Sequence, residues 1–216
     1  MAAPGRHWKD WACQLWDFVL EFNAANAPST MKHADIITFN NDFVVIKDKY
    51  PKGKIHWLVL PRQEMLEEIC LLTSEHLPLL RKMQDLEKEL IVMARKETGN
   101  ESLECWSGFH SWPSMKLLHL HFISSELNGP KLTSASHWIS FTTSFFIRLP
   151  IIISRIEKAG NPQIDLEAEK KLKKGKPTCP ICLVSFPASE KGVQSVKEHY
   201  QTCQAPTASS SNENPS

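Results

Sequence analysis

The stretch Leu117-Leu118-His119-Leu120-His121-Phe122-Ile123 decides how the rest of this chain is read. In a β-strand successive side chains alternate faces, so Leu117, His119 and His121 share one face. Leu118, Leu120 and Phe122 point to the other, which must be the buried one. Two imidazoles on a core strand are costly to desolvate unless something uses them. On spacing alone, a pair of satisfied surface histidines reads equally well.

Upstream, Asp35 to Phe39 and Phe43 to Lys47 read as strands joined by the turn Asn40-Asn41-Asp42, and Lys54 to Leu60 as a third strand closed by Pro61. Residues 66–96 read as mainly helical, with Pro78 opening a new first turn. Leu103 to Phe109 and Lys116 to Ile123 read as two more strands around the turn Ser111-Trp112-Pro113-Ser114. Ahead of all this, Trp8, Trp11, Ala12, Leu15, Val19 and Phe22 fall at helical spacing, predicting an amphipathic helix over residues 8–22. The fold class expected is α+β: an antiparallel sheet with packed helices, followed by a small metal-binding module.

That module is Cys179-x2-Cys182 with His199-x3-Cys203. The four side chains suit tetrahedral zinc, and His199 and Cys203 share one face of a helix expected from Lys191. The loop between Cys182 and His199 holds 16 residues, with Phe186 and Val196 placed to fill a small core. Cys13, Cys70 and Cys105 are scattered and read as reduced core residues. Structural Zn2+ is therefore the expected cofactor. Residues 161–176 are polar, carry Lys170, Lys171, Lys173, Lys174 and Lys176, and read as a basic linker; residues 204–216 read as a disordered tail.

The bulk numbers exclude little. The chain has 216 residues with Lys+Arg 25 against Asp+Glu 24, a net charge of +1, so affinity for nucleic acid must come from local patches. The start lacks the apolar stretch of a secretory signal, and no run approaches the roughly 20 apolar residues of a membrane span. The run Phe145 to Ile153 is broken by Arg148 and Pro150. An intracellular protein is expected.

Beyond the strand itself, Asp48-Lys49-Tyr50-Pro51, His56-Trp57-Leu58-Val59-Leu60-Pro61, Gly108-Phe109-His110, Pro113-Ser114-Met115 and His137-Trp138-Ile139-Ser140-Phe141 all occur in order ahead of the metal module. Together with residues 117–123 they closely resemble the histidine-triad family, whose signature is His-φ-His-φ-His-φ-φ, and within it the branch acting on adenylated DNA. The resemblance spans residues 35 to 203. It implies a histidine-triad domain over residues 31–160, preceded by an N-terminal helix over 1–30 that wedges against a DNA end and followed by a zinc finger over 177–203.

The chemistry the resemblance implies is release of AMP from 5′-adenylated DNA through a covalent AMP–histidine intermediate. His119 would be the nucleophile, His121 would assist the leaving oxygen, and His110 would lie beside the same phosphate. Asp48, His56, Lys54, Ser114 and Met115 would bind the nucleotide. Trp8, Lys52, Trp138, Lys173 and Lys174 would meet DNA. The expected partner is damaged DNA with 5′-AMP ends, without a membrane, and the expected location is the nucleus; repair-complex proteins are further candidate partners, with no FHA-type domain expected to recruit them. The finger is expected to be separable, so that its loss spares hydrolysis of a small AMP ester. Leu117 departs from the signature by replacing the first histidine. Two other functions fit the same residues: a general hydrolase of nucleoside phosphoramidates and AMP conjugates, and a non-catalytic zinc-finger DNA-binding protein. A finger and an aromatic helix speak against the first, and the retained His119, His121, His110 and Asp48 against the second.

Overall fold

The computed structural model describes residues 9–24, 35–63 and 65–204. Its frame is a six-stranded antiparallel sheet made of β1 (Ile36–Phe39), β2 (Phe43–Lys47), β3 (His56–Pro61), β4 (Cys105–His110), β5 (Leu120–Ser124) and β6 (Phe146–Arg148), in the order β1-β2-β3-β5-β4-β6. The first hairpin closes as its sequence suggests. The Asn40 side chain accepts the backbone N–H groups of Asp42 and Phe43 at 2.9 and 2.8 Å, the usual way an Asn replaces a backbone acceptor in a tight turn.

Helices cover both faces. On one face Trp57, Val59, Phe109, Leu120 and Phe122 pack against α2 (Leu77–Thr98) and α4 (Leu149–Ala159). Pro at the start of each helix and Gly99 or Gly160 in the left-handed cap at the end fix their boundaries. The opposite face has two separate apolar patches. At one end α1 (Gln14–Ala24) lays Leu15, Val19 and Phe22 on Val44, Leu58, Leu60 and Leu117. At the other, α3 (Ala135–Thr142) and α6 (Glu190–Gln204) lay Trp138, Phe141, Val196 and Tyr200 on Ile123 and Phe146. The histidines occupy the gap between.

Several elements differ from their sequence reading. Residues 66–76 are not α-helical; they form short 3-10 turns at Ile69–Leu71 and Ser74–His76, and the α-helix begins only at Leu77, next to Pro78. The fifth strand begins at Leu120 rather than Lys116, because Leu117 has φ +87° and cannot extend a ladder. The alternation nonetheless holds: Leu118, Leu120 and Phe122 join the α2 face, and Leu117 the α1 cluster. The broken run after Phe145 is a strand and a helix, β6 and α4. The segment read as a linker contains α5 (Leu166–Leu172), capped by Asp165 and tied through Glu169 to the hydroxyls of Ser111 and Ser144. No helix among the described residues is long and apolar enough to cross a membrane.

The metal module does not stand apart from the sheet. Cys179, Val196 and Tyr200 share one buried cluster with Ile123, Trp138, Phe141 and Phe146. Tyr200 and Gln201 of α6 donate to the carbonyls of Ser125 and Glu126 at 3.2 and 2.5 Å. Trp138, fully buried, donates its indole N–H to the Thr178 carbonyl at 2.9 Å. Trp138→Ala should therefore cost about 3–5 kcal/mol. Denaturation followed by fluorescence and by circular dichroism should show module and sheet unfolding together; two separated transitions would mean that the shared core carries little energy.

Candidate active site

Four imidazoles line the gap. The His110 and His121 rings lie 4.3 Å apart, His119 and His121 4.9 Å, and His56 and His121 5.2 Å between centroids. His56 opposes Ile123 across β3 and β5, and Gly108 of β4 opposes His121. A Cβ on Gly108 would come within 2.8 Å of the Phe146 ring, so the absence of a side chain there lets Phe146 sit against His110 and His121. Phe141 meets the rings of His56, His110 and His121 at 5.4, 4.8 and 5.5 Å.

Hydrogen bonds set the tautomers, one way at His119 and the other at His56 and His121. The Leu117 carbonyl lies 2.7 Å from Nδ1 of His119. A carbonyl only accepts, so Nδ1 carries the proton and Nε2 keeps a free lone pair. For His56, the Lys52 backbone N–H donates to Nδ1 at 3.2 Å, which leaves the proton on Nε2. That Nε2–H faces Nδ1 of His121 at 3.0 Å and a carboxylate oxygen of Asp48 at 3.5 Å. Nδ1 of His121 is thereby an acceptor, and the His121 proton sits on Nε2. Nε2 of His121, like Nε2 of His110, is buried with no partner among the described residues. Buried polar groups are nearly always paired, so these two call for a polar ligand. The site thus offers a lone pair on His119 beside an N–H donor on His121.

Burial holds all four rings neutral. Desolvation lowers His56 from 6.5 to about 4, against an opposing pull from Asp48. It lowers His119 despite the bond to the Leu117 carbonyl. His110 and His121 lie well below the ordinary value, first through burial and then through their histidine neighbours. Asp48, His56 and His121 also bring three potential ligand atoms together. A metal on Nε2 of His56 would move that ring's proton to Nδ1, against the Lys52 N–H, so the trio reads as a hydrogen-bond relay instead.

The other expected site residues divide. Asp48 stands at the relay's end, one oxygen accepting the Tyr50 N–H at 2.6 Å. Lys52 is largely covered, donates to the Tyr50 carbonyl at 2.5 Å, and its charge helps keep the histidines neutral. Trp138 cannot meet DNA directly, because its whole ring is in the core shared with the metal module. Lys54 is exposed, with its backbone N–H on Glu126. Ser114 is exposed on the β4–β5 loop and Met115 packs against the α1 cluster. Lys173 lies 4.3 Å over the Phe145 ring and Lys174 is exposed. Trp8 lies outside the described residues. Trp11, expected on the buried stripe, is 55% exposed instead. Phe141 and Phe146 belong to the site as well, and the motif that ends at Phe141 is the sequence signal for the first of them.

The Cys3His group is assembled as its spacing predicts. Nε2 of His199 lies 2.9 Å from Sγ of Cys182 and 3.2 Å from Sγ of Cys203, the two sulfurs are 3.8 Å apart, and all four donors lie within 4.8 Å of one another. Donors about 2.0–2.3 Å from one tetrahedral ion stand roughly 3.3–3.8 Å apart, so the set fits a metal such as zinc. Phe186 packs on His199 at 5.4 Å between rings, and Val196 is fully buried.

This sheet, with its histidines between two helical patches, is a histidine-triad fold. The family model described as "Scavenger mRNA decapping enzyme C-term binding" matches residues 24–137, and the chain belongs to that family. Its relatives include aprataxins: 40% identity over 130 residues to that of Gallus gallus, covering 60% of this chain and 40% of that protein, and 35% over 163 residues to that of Danio rerio, covering 76% and 48%. The chain spans less than half the length of these two relatives. The fold matches the aprataxin ortholog Hnt3 solved in complex with DNA, with a TM-score of 0.60 at 21% identity over 90% of this chain and 96% of that one.

Neutral buried histidines make a pH prediction. Between about 4 and 6.5, the unfolded chain takes up a proton at His56 that the folded chain refuses. Stability should therefore be fully present above pH 6.5 and fall as the solution is acidified towards 4, by up to about 1.4 kcal/mol per pH unit for each such histidine. Urea midpoints at about pH 7 and pH 5 check this, and His56→Gln should flatten the dependence. A midpoint that rose on acidification would contradict the neutral assignment.

Proposed function

We propose that this chain hydrolyses AMP from adenylated 5′ ends of DNA, the product of abortive ligation in single-strand break repair. The observation that carries the reading is the pairing of opposite tautomers: a lone pair on Nε2 of His119 and an N–H on Nε2 of His121, on adjacent buried rings. Neutral imidazole is a good nucleophile toward phosphorus near pH 7. Nε2 of His119 bonds the α-phosphorus of AMP as the anhydride P–O bond breaks. The bridging oxygen departs with the DNA 5′-phosphate and takes the His121 proton. Water then attacks the same phosphorus: its oxygen bonds phosphorus as the P–Nε2 bond to His119 breaks, one water proton returns to Nε2 of His121, and AMP is freed.

Asp48 accepts the ribose hydroxyls with the oxygen that faces His56. His110 and the Ser114 loop hold the non-bridging phosphate oxygens. The relay from the Lys52 N–H through His56 keeps His121 a donor rather than an acceptor. For DNA as substrate, the support is the aprataxin relatives, the exposed Trp11 on the turn before α1, and exposed Lys174. Stacking on an aromatic is tolerant of sequence and worth roughly 1–3 kcal/mol per base, which suits an enzyme acting at any end. Zinc is the proposed occupant of the Cys3His group, with a structural role. Because that group shares its core with Phe141, the finger is not expected to be separable from the chemistry.

His119→Ala should abolish AMP release from adenylated nicked duplex, and acid quench of the wild type should trap AMP on protein. Retention of more than a few per cent of activity would rule out covalent catalysis by His119, since loss of a nucleophile costs many orders of magnitude in kcat. His121→Ala should chiefly lower kcat, and Asp48→Ala chiefly raise KM. Turnover of an AMP–lysine conjugate at the rate of adenylated DNA would point to a general AMP-conjugate hydrolase instead.

A further inference from the structure

Leu117 stands where the family signature has its first histidine, and its surroundings are unusual on four counts. Its φ of +87° is one that L side chains rarely adopt and that persists only where the surroundings enforce it. Its side chain is fully buried among Leu15, Val19 and Phe22 of α1 and Leu58 and Leu60 of β3. The peptide groups on both sides are pinned: Lys116 N–H donates to the Ala12 carbonyl and Leu118 N–H to the Leu66 carbonyl, each at 2.7 Å. Its own carbonyl accepts the Nδ1–H of His119. The N-terminal region therefore holds, through one backbone bond and one apolar cluster, the residue that aims the nucleophile. Lys116, over the Trp16 ring at 4.2 Å, adds a third tie.

We propose that Leu117 is a positioning residue, held in its strained conformation by Ala12 and by the apolar side of α1, so that its carbonyl stays on Nδ1 of His119. The inference rests on His119 as nucleophile. The N-terminal helix then serves every substrate, a small AMP ester included, and not only those with a DNA end. The replacement of histidine by leucine is part of the device. An imidazole at 117 would be buried among apolar side chains from α1 and β3, with its ring nitrogens unpaired and the grip of α1 loosened. Restoring the family residue should impair the enzyme.

The test uses the full chain, labelled with 15N at histidine, as wild type, Leu117→Ala, Leu117→Met, Leu117→His and Val19→Ala. Each is assayed on an AMP aryl ester and on adenylated nicked duplex. Displacing the carbonyl by an ångström should lower kcat on the ester by about 100-fold in Leu117→Ala, with KM little changed. Val19→Ala should fall in the same sense, and Leu117→Met should recover most of the rate. Imidazole spectra of the slow variants should show His119 losing its exclusive Nδ1–H state, which general destabilisation would not produce in the folded protein. Leu117→His should be slower than wild type. The proposal is overturned if Leu117→Ala or Val19→Ala folds and keeps the wild-type kcat and tautomer, or if Leu117→His is faster. If Leu117→Ala does not fold, Val19→Ala and Leu117→His decide. A wild type that never releases AMP would sink the nucleophile assignment, while the tautomer readout would still report whether Leu117 positions His119.

Discussion

The hydrogen bond between Nδ1 of His119 and the Leu117 carbonyl is the contact on which the rest of the site depends. A neutral imidazole has one proton and one lone pair, and whatever the inner nitrogen does dictates what the outer one can offer. At His119 a backbone carbonyl claims the proton and leaves a lone pair. At His121 the inner nitrogen faces the Nε2–H of His56, whose own Nδ1 is taken by the Lys52 N–H, and the outer nitrogen is left with a proton. Two residues of one type, two apart on one strand, become a base and an acid because their inner partners differ. Burial sustains the difference by keeping every ring uncharged.

The helices on this face maintain that arrangement. The α1 cluster holds Leu117, and the α3–α6 cluster presses Phe141 and Phe146 against His56, His110 and His121. The second cluster also contains Cys179, a member of the Cys3His group. A structural ion there would order α6, which packs on Trp138, which sits three residues from Phe141. Metal module and histidine rings are therefore two ends of one packed unit, and the segment 161–176 that composition marks as a linker contains α5.

The strand alternation around His119 and His121, the first hairpin and the Cys3His set were legible because each rests on a local rule: period two, an Asx turn, ligand spacing. Leu117 shows where such rules stop. Alternation assigns its face correctly, but nothing local signals its positive φ; the peptides on either side of it are held by Ala12 and Leu66, far away in the chain. Residues 66–76 carry helical spacing yet form 3-10 turns, because they must cross from β3 to the start of α2. Lys52 and Trp138 are expected to meet DNA only through the resemblance. For Trp138 the cover is the metal module packed over it, a contact from 40 or more residues further along the chain that no local pattern signals. Trp11 failed the other way, since its periodicity matches Leu15 but its ring faces solvent.

The central claim is that His119 and His121 are both neutral and carry their protons on opposite nitrogens. Long-range nitrogen–proton correlation spectra of the 15N-histidine protein near neutral pH measure this without any substrate. The account predicts a proton on Nδ1 of His119, a proton on Nε2 of His121, and no imidazolium at either. A protonated ring at either position, or the two tautomers reversed, would contradict it.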